Sequence, residues 1–183
     1  MTPVADVAIE RLEPGQSTDL ELARSLEALV NEVYEIAEAG LWRDDAERTT
    51  TEEIAGLIAA NEIVVARRAG HGIVGTVRVH DLDDDVAEFG MLAAALDQRG
   101  LGIGRLLLDH VEQDARDRGR TVMQLELLVP LEWRHPSKEF LTAWYGRRGY
   151  RPVATSSLAR AHPHLAPFLA TPCELQIHRK PLR

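Results

Sequence analysis

The apolar positions of this chain change their period several times, and each change marks an element. Val7 to Glu10 read as a short strand, followed by the turn Pro14-Gly15. Leu22, Leu26, Leu29, Val30, Val33 and Ile36 then recur at helical spacing. They predict an amphipathic helix that begins at Thr18, with Glu21 completing a capping box, and stops at Gly40. A second helix is predicted from Thr50, capped with Glu53, its apolar face made by Ile54, Leu57 and Ile58 before Asn61. Three strand-like runs follow, Glu62 to Arg67, Ile73 to His80 and Val86 to Ala93, parted by glycine and aspartate turns, so an antiparallel meander is expected.

Helical spacing returns from Gly102 to Arg118, with Gly119 just past the end, and a strand from Val122 to Val129 comes next. A strand, a helix and a strand of these lengths make a crossover unit, so the two strands should lie parallel and side by side. A helix from about Ser137 to Arg148 and strands at Tyr150 to Ala154 and Glu174 to Arg179 complete the pattern. Between those strands a Pro- and His-bearing segment is expected to form short helical turns. The expected fold class is α/β, a mixed and mostly antiparallel sheet of six or seven strands flanked by about four helices. All 183 residues fit one domain, 1–183.

Charge narrows the function. A net charge of -8 argues against a general nucleic-acid binder, because phosphate backbones are held by clustered Lys and Arg. The beginning of the chain has neither a basic start nor a continuous apolar run, and no stretch approaches the length of a membrane span. A soluble, cytoplasmic protein without membrane partners is expected. Cys173 is the only cysteine, which excludes an internal disulfide and suits a packed thiol. The seven histidines show no metal-ligand spacing, so no metal is expected. The polar loop from Leu41 to Thr49, with Trp42, Arg43, Asp44 and Asp45, is a candidate lip over a substrate, and Trp42 and Arg43 are its candidate contacts.

The most specific stretch is EFGMLAAALDQRGLGIGRLLL, Glu88 to Leu108, where a strand enters a turn holding Gly100, Gly102 and Gly104 and opens directly into a helix. Such a turn suits an anion. Glycines let the backbone approach a phosphate, and the unpaired N–H groups at the helix start point toward it with the positive end of the helix dipole behind them. Arg99 and Arg105 add charge. A Rossmann dinucleotide turn also sets glycines between strand and helix, but its spacing needs glycine where this chain has Arg105 or Ile103.

This segment resembles motif A of the Gcn5-related N-acetyltransferase (GNAT) superfamily, R/Q-x-x-G-x-G/A, with Arg99, Gly102 and Gly104 in the matching places. A second stretch, FLTAWYGRRGY, resembles the motif B helix through Tyr145, Gly149 and Tyr150. The resemblance implies a parallel central strand pair splayed to admit acetyl-coenzyme A. It implies a pyrophosphate on Arg99, Gly100, Leu101, Gly102, Ile103, Gly104 and Arg105, and a pantetheine arm paired with the backbone of Leu92, Ala93 and Ala94. Two departures stand out: Leu96 where many members carry proline, and Lys138 where many carry a coenzyme-contacting asparagine. Lys138 is the expected substitute contact.

Acetyl transfer from a thioester to an amine needs a base for the ammonium, donors for an oxyanion and a proton for the departing thiolate. Counting back from Arg99 sets Glu88 in register with the glutamate base of the histone-acetylating branch. Glu126, which shares a strand face with Gln124, is the other candidate base or a ligand for the substrate ammonium. Tyr145 is the expected acid, and Gly90 is expected to mark a bulge that bends its strand. The implied activity is acetylation of a primary amine on a small molecule or peptide. A coenzyme A-binding regulatory module without turnover is the alternative. The acceptor stays open, as does the oligomeric state, homodimer included.

Overall fold

The computed structural model describes residues 6–43 and 46–183. Asp44 and Asp45 of the expected lip lie outside the described residues. Strand β1 (Val7–Arg11) leads through a 3-10 turn (Pro14–Thr18) into α1 (Leu20–Ala37) and α2 (Thr51–Ala59). The meander β2 (Ile63–Arg68), β3 (Gly72–Asp81) and β4 (Val86–Ala94) follows, then α3 (Ile103–Asp117), β5 (Val122–Pro130) and α4 (Pro136–Arg147). Strand β6 (Arg151–Ser156), the one-turn α5 (Leu158–Ala161), a 3-10 turn (Ala166–Phe168) and β7 (Cys173–Pro181) complete the order. Among the described residues no helix is long and apolar enough to cross a membrane.

The seven strands form one mixed sheet in the order β1-β2-β3-β4-β5-β7-β6, in which β4 and β5 are the parallel pair. Strand β2 shows how the sheet takes helices on both faces. Val64 and Ala66 point to a core with Ile103, Leu107, Leu108 and Val111 of α3, whereas Ile63 and Val65 point to a second core with Ala23, Leu26 and Val30 of α1 and Ile54 and Ile58 of α2. A third cluster of Leu41, Leu128, Leu158 and Leu175 closes the end of the molecule near β7.

Local chemistry departs from the sequence expectation in three places. The cap of α1 is Asp19, whose carboxylate accepts the Leu22 N–H at 3.0 Å, because Pro14 to Thr18 are held in their own turn. Thr18 and Glu21 therefore form no capping box, whereas Thr50 caps α2 by accepting the Glu53 N–H. Ile36 is exposed at 49%, so the apolar stripe of α1 is narrower than its spacing suggests.

The third departure bends the sheet. Arg78 pairs with Gly90 but Thr76 pairs with Ala93, so β4 spends one extra residue there. That residue is Met91, at φ 50, rather than Gly90. Ala87 and Phe89 face the α3 core before the bulge, and Leu92 and Ala94 pack against the same core after it, while Met91 and Ala93 turn to the other face. The bulge shifts the alternation by one residue.

Candidate active site

The parallel ladder between β4 and β5 holds only at its start, pairing Val86 with Val122, Ala87 with Met123 and Glu88 with Gln124. Beyond Glu88 the strands part. Strand β5 pairs with β7 from Val122 to Pro130 without a register shift, whereas the pairing of β4 with β3 is bulged at Met91, where β4 bends. A cleft opens between them, lined by Gly90, Met91 and Leu92 on one side and Leu125 to Leu128 on the other.

At the far end of β4 the turn at residues 96–102 starts α3. Gly102 occupies the N-cap at φ 77, a left-handed conformation that a side chain would strain. Helices α1 and α2 have side-chain caps, but α3 has none, and its first turn holds no acidic residue. The first intrahelical bond runs from the Leu106 N–H to the Gly102 carbonyl at 3.0 Å, which leaves the N–H groups of Ile103, Gly104 and Arg105 pointing outward. Arg99, Gly100 and Arg105 are exposed around this turn, and the Arg105 guanidinium folds back within 3.8 Å of where a Gly102 Cβ would stand. The arrangement is a positive, hydrogen-bond-donating cradle.

Gly75, which sequence reasoning passed over, fixes how closely α3 lies on the sheet. A Cβ there would stand 2.6 Å from Ile103 Cγ2, 3.0 Å from Leu107 Cδ1 and 3.1 Å from the Ala93 carbonyl oxygen. A glycine inside a strand-like run is the signal that marks such an approach.

The cleft continues into a cavity of about 320 Å³ that brings together Glu88, Glu126, Tyr145, Trp42 and Lys138 of the expected residues. Glu88 accepts a hydrogen bond from Gln124 Nε2 at 2.6 Å, and Arg179 Nε donates to the Gln124 oxygen at 2.7 Å. Since arginine can only donate, this fixes the amide with its nitrogen toward Glu88. Burial raises the Glu88 carboxyl above the usual range, opposed by the Gln124 bond and reinforced by the charge of Glu126. His80 Nε2 stands 3.9 Å from the other Glu88 oxygen. Glu126 is paired with His162 Nε2 at 2.7 Å, a contact between β5 and the segment after β6 that no spacing in the sequence indicates.

Tyr145 on α4 is buried, its ring 5.8 Å from those of Phe89 and Tyr150. Burial pushes its phenol far above the usual value, so the proton is retained at neutral pH. Lys138 meets a different environment from the one its motif position suggests. Its Nζ lies 2.5 Å from Glu38 Oε1, both side chains almost wholly buried. Trp42 Nε1 donates to the other Glu38 oxygen at 2.6 Å. Lys138 thus holds Glu38 and the lip tryptophan together.

Trp42 and Arg43 lie on a short stretch stitched to the segment before β7. Trp42 bridges Leu169, the Arg43 N–H donates to the Phe168 carbonyl at 2.9 Å, and the Ala170 N–H donates to the Leu41 carbonyl at 2.9 Å. A second, outer cavity of about 850 Å³ opens beneath this edge. It shares Tyr34, Glu38, Trp42, Arg48, His164 and Leu165 with the inner one, so the two adjoin, and Arg43 borders the outer part.

A family model described as the acetyltransferase (GNAT) family matches residues 25–150. No curated protein matches the chain. Among solved structures, the PaiA N-acetyltransferase from Thermoplasma acidophilum in complex with coenzyme A is 16% identical, with a TM-score of 0.69 over 96% of this chain and 98% of that one. Ard1 from Thermoplasma volcanium is 17% identical, with a TM-score of 0.65 over 98% and 99%. The N-acetylglutamate synthase from Neisseria gonorrhoeae, complexed with coenzyme A and N-acetyl-glutamate, is 18% identical with a TM-score of 0.65. This chain is covered over 98% of its length there but spans only 36% of that longer protein.

Proposed function

The chain belongs to the acetyltransferase (GNAT) family, and from that premise we propose that it transfers an acetyl group from acetyl-coenzyme A to a primary amine of a small molecule or peptide. The observation that carries the reading is the uncapped start of α3 beside a β4 that parts from β5 at Glu88. The free N–H groups of Ile103, Gly104 and Arg105, with Arg99 and Arg105, suit a pyrophosphate. The cleft edge at Leu92 to Ala94 suits the amides of a pantetheine arm, which would pair with it as a strand does. That the structurally similar Thermoplasma acidophilum and Neisseria proteins were solved in complex with coenzyme A supports coenzyme A as the ligand.

The chemistry follows from the cavity. Glu88, with its carboxyl raised by burial, takes a proton from the acceptor ammonium. The freed nitrogen attacks the thioester carbonyl, and a backbone N–H near Leu92 to Ala94 stabilises the negative oxygen. The carbon–sulfur bond breaks, and Tyr145 gives its proton to the departing thiolate. The second proton of the nitrogen, lost as the amide forms, restores the Tyr145 hydroxyl, and Glu88 passes its own proton to solvent. Glu126, bound to His162 and lining the same cavity, is the residue we assign to hold the ammonium.

Release of free thiol from acetyl-coenzyme A, measured over a panel of amines, polyamines and peptide N-termini, tests the reading. Amine-dependent release that falls sharply in Tyr145→Phe while coenzyme binding persists is the expected result. Coenzyme binding with no amine-dependent release would leave the regulatory-module reading in its place.

A further inference from the structure

The shared wall of the two cavities holds a cation whose surroundings differ from those of its neighbours. Arg48 lies on the loop before α2, and its backbone is fastened to α1. Asn31 Oδ1 accepts the N–H groups of Arg48 and Thr49 at 3.0 and 3.1 Å, and Asn31 Nδ2 donates to the Thr49 carbonyl at 3.0 Å. The guanidinium lies over the Tyr34 ring, 5.2 Å from its centroid, which restrains the side chain as well. Arg48 lines both cavities, and its Nε is buried without a hydrogen-bond partner.

The other cations of the inner cavity are matched. Lys138 is paired with Glu38, whose second oxygen is taken by Trp42, and Arg78 is paired with Glu62 at 2.7 Å. Glu53 accepts from Thr49 Oγ1 at 2.8 Å. Among the described residues no carboxylate stands within ion-pair distance of Arg48. Glu38 is near enough to lower its own proton affinity through Arg48, yet both its oxygens already have donors. A planar guanidinium seated over an aromatic ring, with no carboxylate partner among the described residues, suits a ligand carboxylate. Val33, Leu128, Leu158, Leu165 and Leu175 give the cavity an apolar wall, and its remaining polar groups are Glu88 and Glu126 on the sheet with His80, His162, His164 and Tyr145.

We propose that the acceptor amine carries a carboxylate beside an apolar body, as an amino acid does, and that Arg48 binds that carboxylate. The inference rests on the acetyl-transfer reading above. It assigns the two ends of the acceptor to two places: the ammonium to Glu88 and Glu126, the carboxylate to Arg48.

Thiol release from acetyl-coenzyme A is compared for leucine against leucinamide, and for 6-aminohexanoate against hexylamine. At least one acid should exceed its uncharged counterpart by about tenfold or more in kcat/KM, and the better acid reports the spacing between amine and carboxylate. Arg48→Gln should abolish that preference, and Arg48→Lys should retain part of it; melting temperatures verify folding, and Arg48→Lys decides if Arg48→Gln does not fold. Wild-type enzyme that prefers the uncharged amines, a preference that survives in Arg48→Gln, or, where only Arg48→Lys folds, a preference undiminished there, overturns the inference. If no amine supports thiol release, the transfer reading fails separately. Calorimetry with N-acetyl-leucine and N-acetyl-leucinamide then decides: binding of the acid alone, weakened by Arg48→Gln, upholds the carboxylate site, and equal binding or none of either refutes it.

Discussion

Lys138 on α4 reaches Glu38 at the end of α1 across 2.5 Å, and the two side chains are 4% and 5% exposed. Burial alone would raise the Glu38 carboxyl, but the charges of Lys138 and Arg48 outweigh it and hold the group below its ordinary range. A carboxyl depressed by folding adds stability above its ordinary pKa, and that stability is lost as pH falls through the folded value. Glu38→Gln leaves the ammonium buried and unmatched, which should cost about 3–5 kcal/mol. Denaturant unfolding at neutral pH should show this loss, and a Glu38→Leu, Lys138→Met double variant should recover much of it. Equal losses in the single and double variants would mean that the pair matters for shape rather than charge.

The α3 turn can be disabled without disturbing the fold. A Cβ on Gly104 would meet nothing within 4 Å, and its backbone is not left-handed. Gly104→Asp should therefore fold normally while placing a carboxylate among the free N–H groups. Coenzyme A affinity by calorimetry should fall about tenfold or more, the scale of one lost charge-assisted contact, with the melting temperature little changed.

Gly75→Ala has the opposite signature. The added methyl meets Ile103 Cγ2, Leu107 Cδ1 and a backbone oxygen that cannot give way, so α3 must lift from the sheet. A loss of about 1–3 kcal/mol in unfolding free energy is expected, with weaker coenzyme binding as the turn moves. Ile103→Ala in the same chain should restore part of the stability, since it removes the nearest obstacle.

Glu88 should set the rising limb of the pH profile. Its carboxyl is raised by burial, so the basic form gains population as pH climbs through a value above the usual carboxylate range, and kcat/KM should climb with it. Glu88→Gln should lower kcat by about 100-fold or more and flatten that limb. Gln124→Leu removes the bond that lowers the Glu88 pKa, so the limb should move to higher pH. A limb that stays in place in both variants points to Glu126 as the base.

Elements defined by local periodicity were legible in the residues: every predicted strand and helix is present within a few positions, including the parallel pair, whose placement needs only chain length and handedness. Finer features depended on contacts remote in sequence. Thr18 and Asp19 are both good caps, and the turn at Pro14 to Thr18 chooses between them. Composition points to Gly90 as the bulge residue, yet the left-handed backbone at the register shift belongs to Met91, where cavity and core meet. The motif position of Lys138 could not disclose Glu38, a hundred residues away. Arg48 and Tyr34 come together because Asn31 ties the loop to α1, a link that no motif encodes.

A sheet fastened by three rungs at Val86 to Glu88 and open above them consists of two half-sheets sharing one hinge. Changing the angle between the halves above that hinge breaks no interstrand hydrogen bond, so the width of the opening is governed by side chains rather than by ladder geometry. On the acetyl-transfer proposal, tolerance toward bulkier acyl groups is therefore a matter of what lines the opening at Leu92, Leu125 and Leu127, and exchanging those residues should alter acyl-chain preference before it alters stability.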